Sequence, residues 1–208
     1  MKKLVLACMA LVFMSSCSVF KKQPKEEIVT ITTEMGTVDL MLYKDTPLHR
    51  ANFLKLAKQG YYDGTSFHRI IDGFMIQGGD PNSKDANPDN DGNGGPGYTI
   101  PAEFVPAHTH NKGALAAARL GDNQNPKKES SGSQFYIVEN ADGTHFLDNS
   151  YTVFGQVVKG METVERIAEQ KKNPMDRPLK DIKMTVTVKS LSAKKLKEEY
   201  GIAPEAKK

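Results

Sequence analysis

From Ile28 onward the chain falls into short stretches with apolar residues at alternate positions, each broken by turn-forming residues. Ile28-Val29-Thr30-Ile31-Thr32-Thr33 and Thr37-Val38-Asp39-Leu40-Met41-Leu42-Tyr43 flank the bend Glu34-Met35-Gly36, which reads as a hairpin. Strand signals recur at residues 66–71, 74–78, 114–118, 134–138, 153–158 and 182–190. Helical spacing occurs twice. After Asp45-Thr46-Pro47, a helix start, Ala51, Phe53, Leu54, Leu56 and Ala57 form one apolar face before Gly60, and residues 161–170 make a second helix. Many short strands with two helices predict a mainly β fold, a closed barrel capped at its ends. With 38% hydrophobic residues in 208, one domain can bury a core. A formal net charge of +3 is too small to indicate nucleic acid as a partner.

The first residues read as a targeting segment. Lys2 and Lys3 precede an apolar stretch at residues 4–14, which as a helix covers about half of a bilayer's hydrocarbon core. A secretory leader fits better than a membrane span. Ser15-Ser16-Cys17 follows and resembles the lipobox of bacterial lipoproteins, with Met14 where that pattern prefers Leu. The resemblance implies lipidation of Cys17, which becomes the mature N-terminus; an ordinary leader followed by an unmodified cysteine is the alternative. Cys8 leaves with the leader, so no intramolecular disulfide is expected. The expected organisation is a leader at 1–16, a lipidated end and tether at 17–27, a domain at 28–191, and a charged, helix-prone but solvated tail at 192–208 that frays. Ser18, where an Asp would signal inner-membrane retention, favours the outer membrane, with the domain outside the cytoplasm.

The densest chemistry lies in Phe67-His68-Arg69-Ile70-Ile71-Asp72-Gly73-Phe74-Met75-Ile76-Gln77-Gly78-Gly79-Asp80. On strands, Phe67, Arg69 and Ile71 share one face, and Met75, Gln77 and Gly79 share another. A cation and an amide among Phe and Met suggest an apolar groove with a few directed donors. An exposed barrel face with incidental polar residues accounts for the stretch equally well.

This stretch resembles the signature of the cyclophilins, the peptidyl-prolyl cis-trans isomerases. Further matches follow in order: Gly94-Gly95-Pro96-Gly97-Tyr98, Gly113-Ala114-Leu115-Ala116-Ala117-Ala118-Arg119, Ser131-Gly132-Ser133-Gln134-Phe135-Tyr136-Ile137, Phe146-Leu147-Asp148 and Tyr151-Thr152-Val153-Phe154-Gly155. The resemblance spans about residues 28–190 and implies an eight-stranded antiparallel barrel with a helix at each end. It implies that Arg69 is the catalytic arginine and that Gln77 bonds the substrate backbone. Phe74, Met75, Phe135 and Leu147 become walls of the proline pocket. Ala118 and Arg119 become the segment that pairs with an extended peptide, and Gln134 joins the peptide-binding set. Tyr151, where many members have His, and Phe146, where many have Trp, also join the peptide-binding set; the indole N–H missing at Phe146 weakens the expectation of tight cyclosporin binding. The implied reaction needs no metal or cofactor, and the implied partners are Pro-containing polypeptides, met by a monomer. A module that holds Pro-containing peptides without turning them over is the first rival, though mere holding would not require Arg69. An envelope protein whose loops serve adhesion is the second.

Two weaker signals remain. Asp89-Asn90-Asp91-Gly92-Asn93-Gly94 matches half of a calcium loop, but the twelfth position is Ile100 rather than Glu. The plain expectation for residues 80–98 is a solvated insertion that tolerates shortening between 83 and 90. His108 and His110, two apart on a strand, would face the same way, but no clear third ligand joins them or His68 and His145.

Overall fold

Eight strands pair antiparallel, in the sheet order Thr185–Ser192 (β10), Lys25–Thr33 (β1), Gly36–Leu42 (β2), Val153–Lys159 (β9), Ala114–Ala117 (β6), Phe135–Val138 (β8), Met75–Gly78 (β4) and Arg69–Ile71 (β3). The computed structural model describes residues 25–203; the leader, Cys17 and the last five residues lie outside the described residues. The strands are β1 (Lys25–Thr33), β2 (Gly36–Leu42), β3 (Arg69–Ile71), β4 (Met75–Gly78), β5 (Thr99–Ile100), β6 (Ala114–Ala117), β7 (Ser130–Ser131), β8 (Phe135–Val138), β9 (Val153–Lys159) and β10 (Thr185–Ser192). Strands β5 and β7 form a separate two-stranded ladder. The helices are α1 (Pro47–Lys58), α2 (Met161–Ala168) and α3 (Ala193–Tyr200), one more than the sequence pattern predicts. The end strands β10 and β3 do not pair with each other. Just ahead of them, the chain is joined by Gly64 N to Met184 O (2.9 Å), Met184 N to Thr65 O (2.8 Å) and Phe67 N to Ile182 O (3.1 Å).

Alternation sorts the sheet into two faces. Val29, Ile31, Val38, Leu40, Ile70, Ile76, Leu115 and Ile137 point one way and pack with Phe53 and Leu54 of α1 and with Val164 and Ile167 of α2. Each fully buried side chain of this size contributes roughly 1.5–3 kcal/mol. Helix α1 starts where expected, but Thr46 makes no side-chain cap bond. Glu103, 55 residues downstream of Leu48, supplies the cap instead: its carboxylate accepts from Leu48 N (3.0 Å) and His49 N (2.9 Å) at the positive end of the helix. Ala51, expected on the apolar face, is exposed.

Three expectations are corrected. The tether does not run to residue 27, because Lys25, Glu26 and Glu27 are already strand, opposite Ser192, Leu191 and Ser190. The tail does not fray at residue 192. Ser192 caps α3, Leu196 is buried against Ile28 and Leu191, Tyr200 donates to Asp39 Oδ2 (2.7 Å), and Gly201 ends the helix at φ +69°.

The 80–98 stretch is not simply solvated. Asp80 is fully buried, and its carboxylate accepts from Asn82 N (2.8 Å) and Gly94 N (3.1 Å). Ser83, also buried, accepts from Ser66 N (2.8 Å) and donates to Asp80 O (2.7 Å). Deleting residues 83–90 removes the Ser83 hydroxyl and leaves Ser66 N and Asp80 O without that partner, each loss worth about 1–3 kcal/mol. The expected melting temperature falls by roughly 5–10 °C in a thermal scan against the parent, and an unchanged value would restore the solvated reading.

Candidate active site

The β3–β4 hairpin decides where the polar residues go. Its register sets Arg69 opposite Gln77, Ile70 opposite Ile76, and Ile71 opposite Met75. Since Ile70 and Ile76 point into the core, Arg69, Gln77 and Met75 lie together on the other face. The two faces expected from parity are therefore one. Phe67 leaves that set: β3 begins only at Arg69, and Phe67 lies in the core with Ile70. The connecting turn uses Gly73 at φ +71° and is held by Glu139, which accepts from Gly73 N (2.7 Å), and by Asn140, whose side-chain amide donates to Gly73 O (2.6 Å). That fixes Phe74.

A concave groove of about 170 Å³ opens on this face. Arg69 and Gln77 line it together with the apolar Phe74, Met75 and Leu147. Ala118, Arg119 and Tyr151 bound the far end. Phe146, 76% exposed, stacks on Phe74 at the rim with ring centroids 5.9 Å apart. Gln134 stands beside the groove rather than in its lining. Its Oε1 accepts from Gln77 Nε2 (3.1 Å), and its Nε2 donates to Gly92 O (2.9 Å) and Gly94 O (2.8 Å). It thus ties the 80–98 stretch to the groove.

Phe135 is not a wall of the groove. In β8 it faces Gly78 and points inward, 1% exposed, with ring centroids 5.4 Å from Phe53, 5.9 Å from Tyr62 and 6.2 Å from Phe67. Its neighbour Tyr136, opposite Gln77, lines the groove instead. Alternation alone could have found this, because Ile137 shares the phase of Phe135. The Tyr136 hydroxyl donates to His110 Nε2 (2.8 Å), and His110 Nδ1 donates to Asp148 Oδ1 (2.7 Å). The carboxylate requires the proton on Nδ1, which leaves Nε2 as the acceptor. Asp148 follows Leu147 directly, so this chain of bonds sets two walls at once. His108 does not converge with His110; it stacks on Tyr43 and bonds Asp45 (2.7 Å).

Ala118 and Arg119 behave differently from each other. Both backbone groups of Ala118 are used, with N donating to Gln134 O (3.0 Å) and O accepting from Ser131 N (2.8 Å). The backbone N–H and C=O of Arg119 have no partner among the described residues, which leaves an edge able to pair with an extended chain. The Arg119 side chain turns away, donating to Ser150 O (2.7 Å) and Asp122 (2.6 Å) over the Tyr151 ring. Arg69 is 41% exposed, with Asp176 Oδ2 3.9 Å from its Nε. Asp176 lies beyond α2, at φ +65°, and nothing local in the sequence announces it.

The comparisons with known proteins fit this geometry. The sequence profile of "Cyclophilin type peptidyl-prolyl cis-trans isomerase/CLD" matches residues 28–189. Peptidyl-prolyl cis-trans isomerase-like 1 of Mus musculus is 37% identical over 157 residues, covering 75% of this chain and 88% of that protein. Peptidyl-prolyl cis-trans isomerase CYP71 of Arabidopsis thaliana is 40% identical over 168 residues; the match covers 78% of this chain but only 24% of that longer protein. A crystal structure of a Cryptosporidium parvum cyclophilin type peptidyl-prolyl cis-trans isomerase superposes with a TM-score of 0.70 at 29% identity, covering 81% of this chain and 99% of the other. The chain belongs to the cyclophilin-type peptidyl-prolyl cis-trans isomerases. It is an enzyme of X–Pro bond rotation, a reaction that needs no cofactor.

Three buried histidines give this cyclophilin a defined response to acid. Burial holds His49, His68 and His110 below the ordinary 6.5, against the opposing pull of Glu103 on His49 and of Asp148 on His110. In the unfolded chain each takes up a proton near pH 6.5, before the folded chain does. The unfolded state therefore binds more protons just below that pH, and stability falls. Stability is full above about pH 7 and declines progressively below 6.5, until the folded-state histidines protonate as well. Urea midpoints at pH 7.5 and 5.5 check this; equal midpoints would count against it.

Proposed function

We propose that this isomerase works outside the cytoplasm as a lipid-anchored monomer, rotating X–Pro bonds in unfolded or flexible polypeptides of the cell envelope. The observation that carries the catalytic part is that Arg69 lines one groove with the apolar and aromatic Phe74, Met75, Tyr136 and Leu147. Support for a peptide in that groove includes a second structure of the Cryptosporidium parvum relative, determined in the presence of the dipeptide Ala-Pro (TM-score 0.69). The bonds between residues 64–67 and 182–184 support closure of the sheet into a barrel, which keeps the groove wall stiff.

The chemistry requires no nucleophile. The prolyl C–N bond resists rotation by about 18–20 kcal/mol because the nitrogen lone pair is delocalised. In the twisted state that lone pair is localised and can accept a hydrogen bond. Arg69 donates to it, an interaction absent from the planar ground state, and so favours the transition state. The apolar wall holds the ring and keeps water from the carbonyl. The Arg69 guanidinium is a planar fork, so its donors are directional. Gln77, with its amide nitrogen committed to Gln134, offers Oε1 to a substrate N–H, and the Arg119 backbone anchors the flanking residues.

The anchor rests on Lys2, Lys3, the apolar residues 4–14 and Cys17. A lipid chain contributes about 0.8 kcal/mol per buried CH₂. Cys17→Ser is therefore expected to give a folded, active protein recovered in the soluble envelope fraction. If that variant, with its leader removed, still needed detergent for release, the anchor assignment would fail.

A further inference from the structure

Past Arg69 and Gln77 the groove continues into a second cavity of about 400 Å³, which the isomerisation chemistry does not use. Its wall holds a buried polar atom that the fold leaves unsatisfied. The His68 residue is 6% exposed, and its imidazole has the Ser66 backbone as its hydrogen-bonding neighbour. The Asp91 side chain is 5% exposed; Oδ2 accepts from Arg177 Nε (2.8 Å), while Oδ1 has no partner. Gly92 passes over the imidazole, so close that a Cβ there would lie 3.8 Å from Nε2. Buried polar groups are almost always paired, and each orphan costs about 1–3 kcal/mol. Asp91 is such a residue, and its place in the wall of a cavity beside a substrate groove marks a position that a ligand completes.

The polar groups of this wall also select the ligand's chemistry. Asp91 Oδ1 can only accept, and burial keeps His68 neutral, with one donor and one acceptor. The Arg177 charge is taken up by Asp91 and by Asp181 (2.8 Å each), and Asp176 is shared between Lys172 (2.8 Å) and the more distant Arg69 (3.9 Å). Asp89, on the cavity wall and exposed, has no ion pair among the described residues. The cavity thus presents one exposed carboxylate and one buried, half-satisfied carboxylate to whatever enters. A metal ion fits poorly, because no group of three or more His, Cys, Asp or Glu among the described residues could hold one.

We infer that this cavity is a specificity subsite for a lysine or arginine side chain of the client, lying on the Arg69 side of the X–Pro bond and held by Asp91 and Asp89. The inference rests on the isomerase reading and names the class of client that the site prefers. The long apolar stem of such a side chain would run along Met175, which is 83% exposed at the cavity edge, while the charged head reaches the carboxylates.

The test uses the full chain and alanine-based peptides with a single proline, carrying Lys or Glu in turn at each of three positions on either side. Exchange spectroscopy reads binding and interconversion in one sample. At one position Lys is expected to exceed Glu by about fivefold in kcat/KM, the scale of a partly screened charge pair, and the ratio shrinks as salt is raised. Asp89→Lys, a change at an exposed residue, is expected to bring that ratio to one or below, and Asp91→Asn to reduce it. Because the ratio is taken within each variant, a general loss of activity does not mimic the effect. No position discriminating by more than about twofold, or a ratio untouched by Asp89→Lys, overturns the subsite. So does a preference that appears only with added calcium and vanishes with chelator, which would make the cavity an ion site. If no peptide is isomerised, the parent reading fails, but the Lys-to-Glu ratio of dissociation constants still decides the subsite.

Discussion

Arg69→Ala is expected to lower kcat/KM for a Pro-containing peptide by about two orders of magnitude, close to 3 kcal/mol of transition-state stabilisation. The loss of peptide affinity should be much smaller, because the planar ground state offers the guanidinium no localised lone pair. Arg69→Lys should recover part of the rate, since an ammonium keeps the charge but loses the planar fork. Arg69 is 41% exposed and its nearest carboxylate is 3.9 Å away, so the fold does not depend on it. An unchanged melting curve is therefore part of the expected result. A folded Arg69→Ala protein that interconverts isomers as fast as the parent would remove Arg69 from the mechanism and favour a module that holds peptides.

Phe135→Ala is expected to act on stability rather than on binding. The ring is 1% exposed and meets three other aromatic rings within 6.2 Å, so truncation leaves a large void at the centre of the core. Losses of about 3–5 kcal/mol are usual for such a change, which lowers the melting temperature by roughly 10 °C in a domain of this size. Tyr136→Ala offers the contrast: it strips the groove of a wall and releases His110, so peptide affinity and turnover should fall together. Calorimetry and peptide titration on the two variants separate the cases. If Phe135→Ala proved stable but unable to bind peptide, the inward placement of this ring would be wrong.

The contrast between these neighbours shows where sequence reasoning stops. Alternation located the strands to within a few residues, because a half-buried sheet forces a period of two on its side chains. Phase was harder to read. A resemblance assigned Phe135 to the pocket, whereas the pairing of β8 with β4 turns it inward and Tyr136 outward. Phe67 failed for a related reason: a strand that starts at Arg69 cannot impose its parity two residues earlier. Arg69, Phe74, Met75, Gln77 and Leu147 were legible because they sit within short, dense motifs. Asp176, Glu103 and the Asp148–His110–Tyr136 chain were not, since each joins residues tens of positions apart. The helical tendency of α3 was legible in its residues but its docking was not, as the charged residues mask a buried contact at Leu196.

Strand β1 also has a mechanical consequence. It is the first described element and is paired on both sides, through eight residue pairs with β10 and six with β2. Ladder bonds lie across the strands, so tension applied along β1 from Lys25 shears them together instead of opening them one at a time. The opposite end is different, because α3 is held mainly by Leu196 and the Tyr200–Asp39 bond and would peel turn by turn. A force-spectroscopy experiment should find a stiff N-terminal attachment and a compliant C-terminal one.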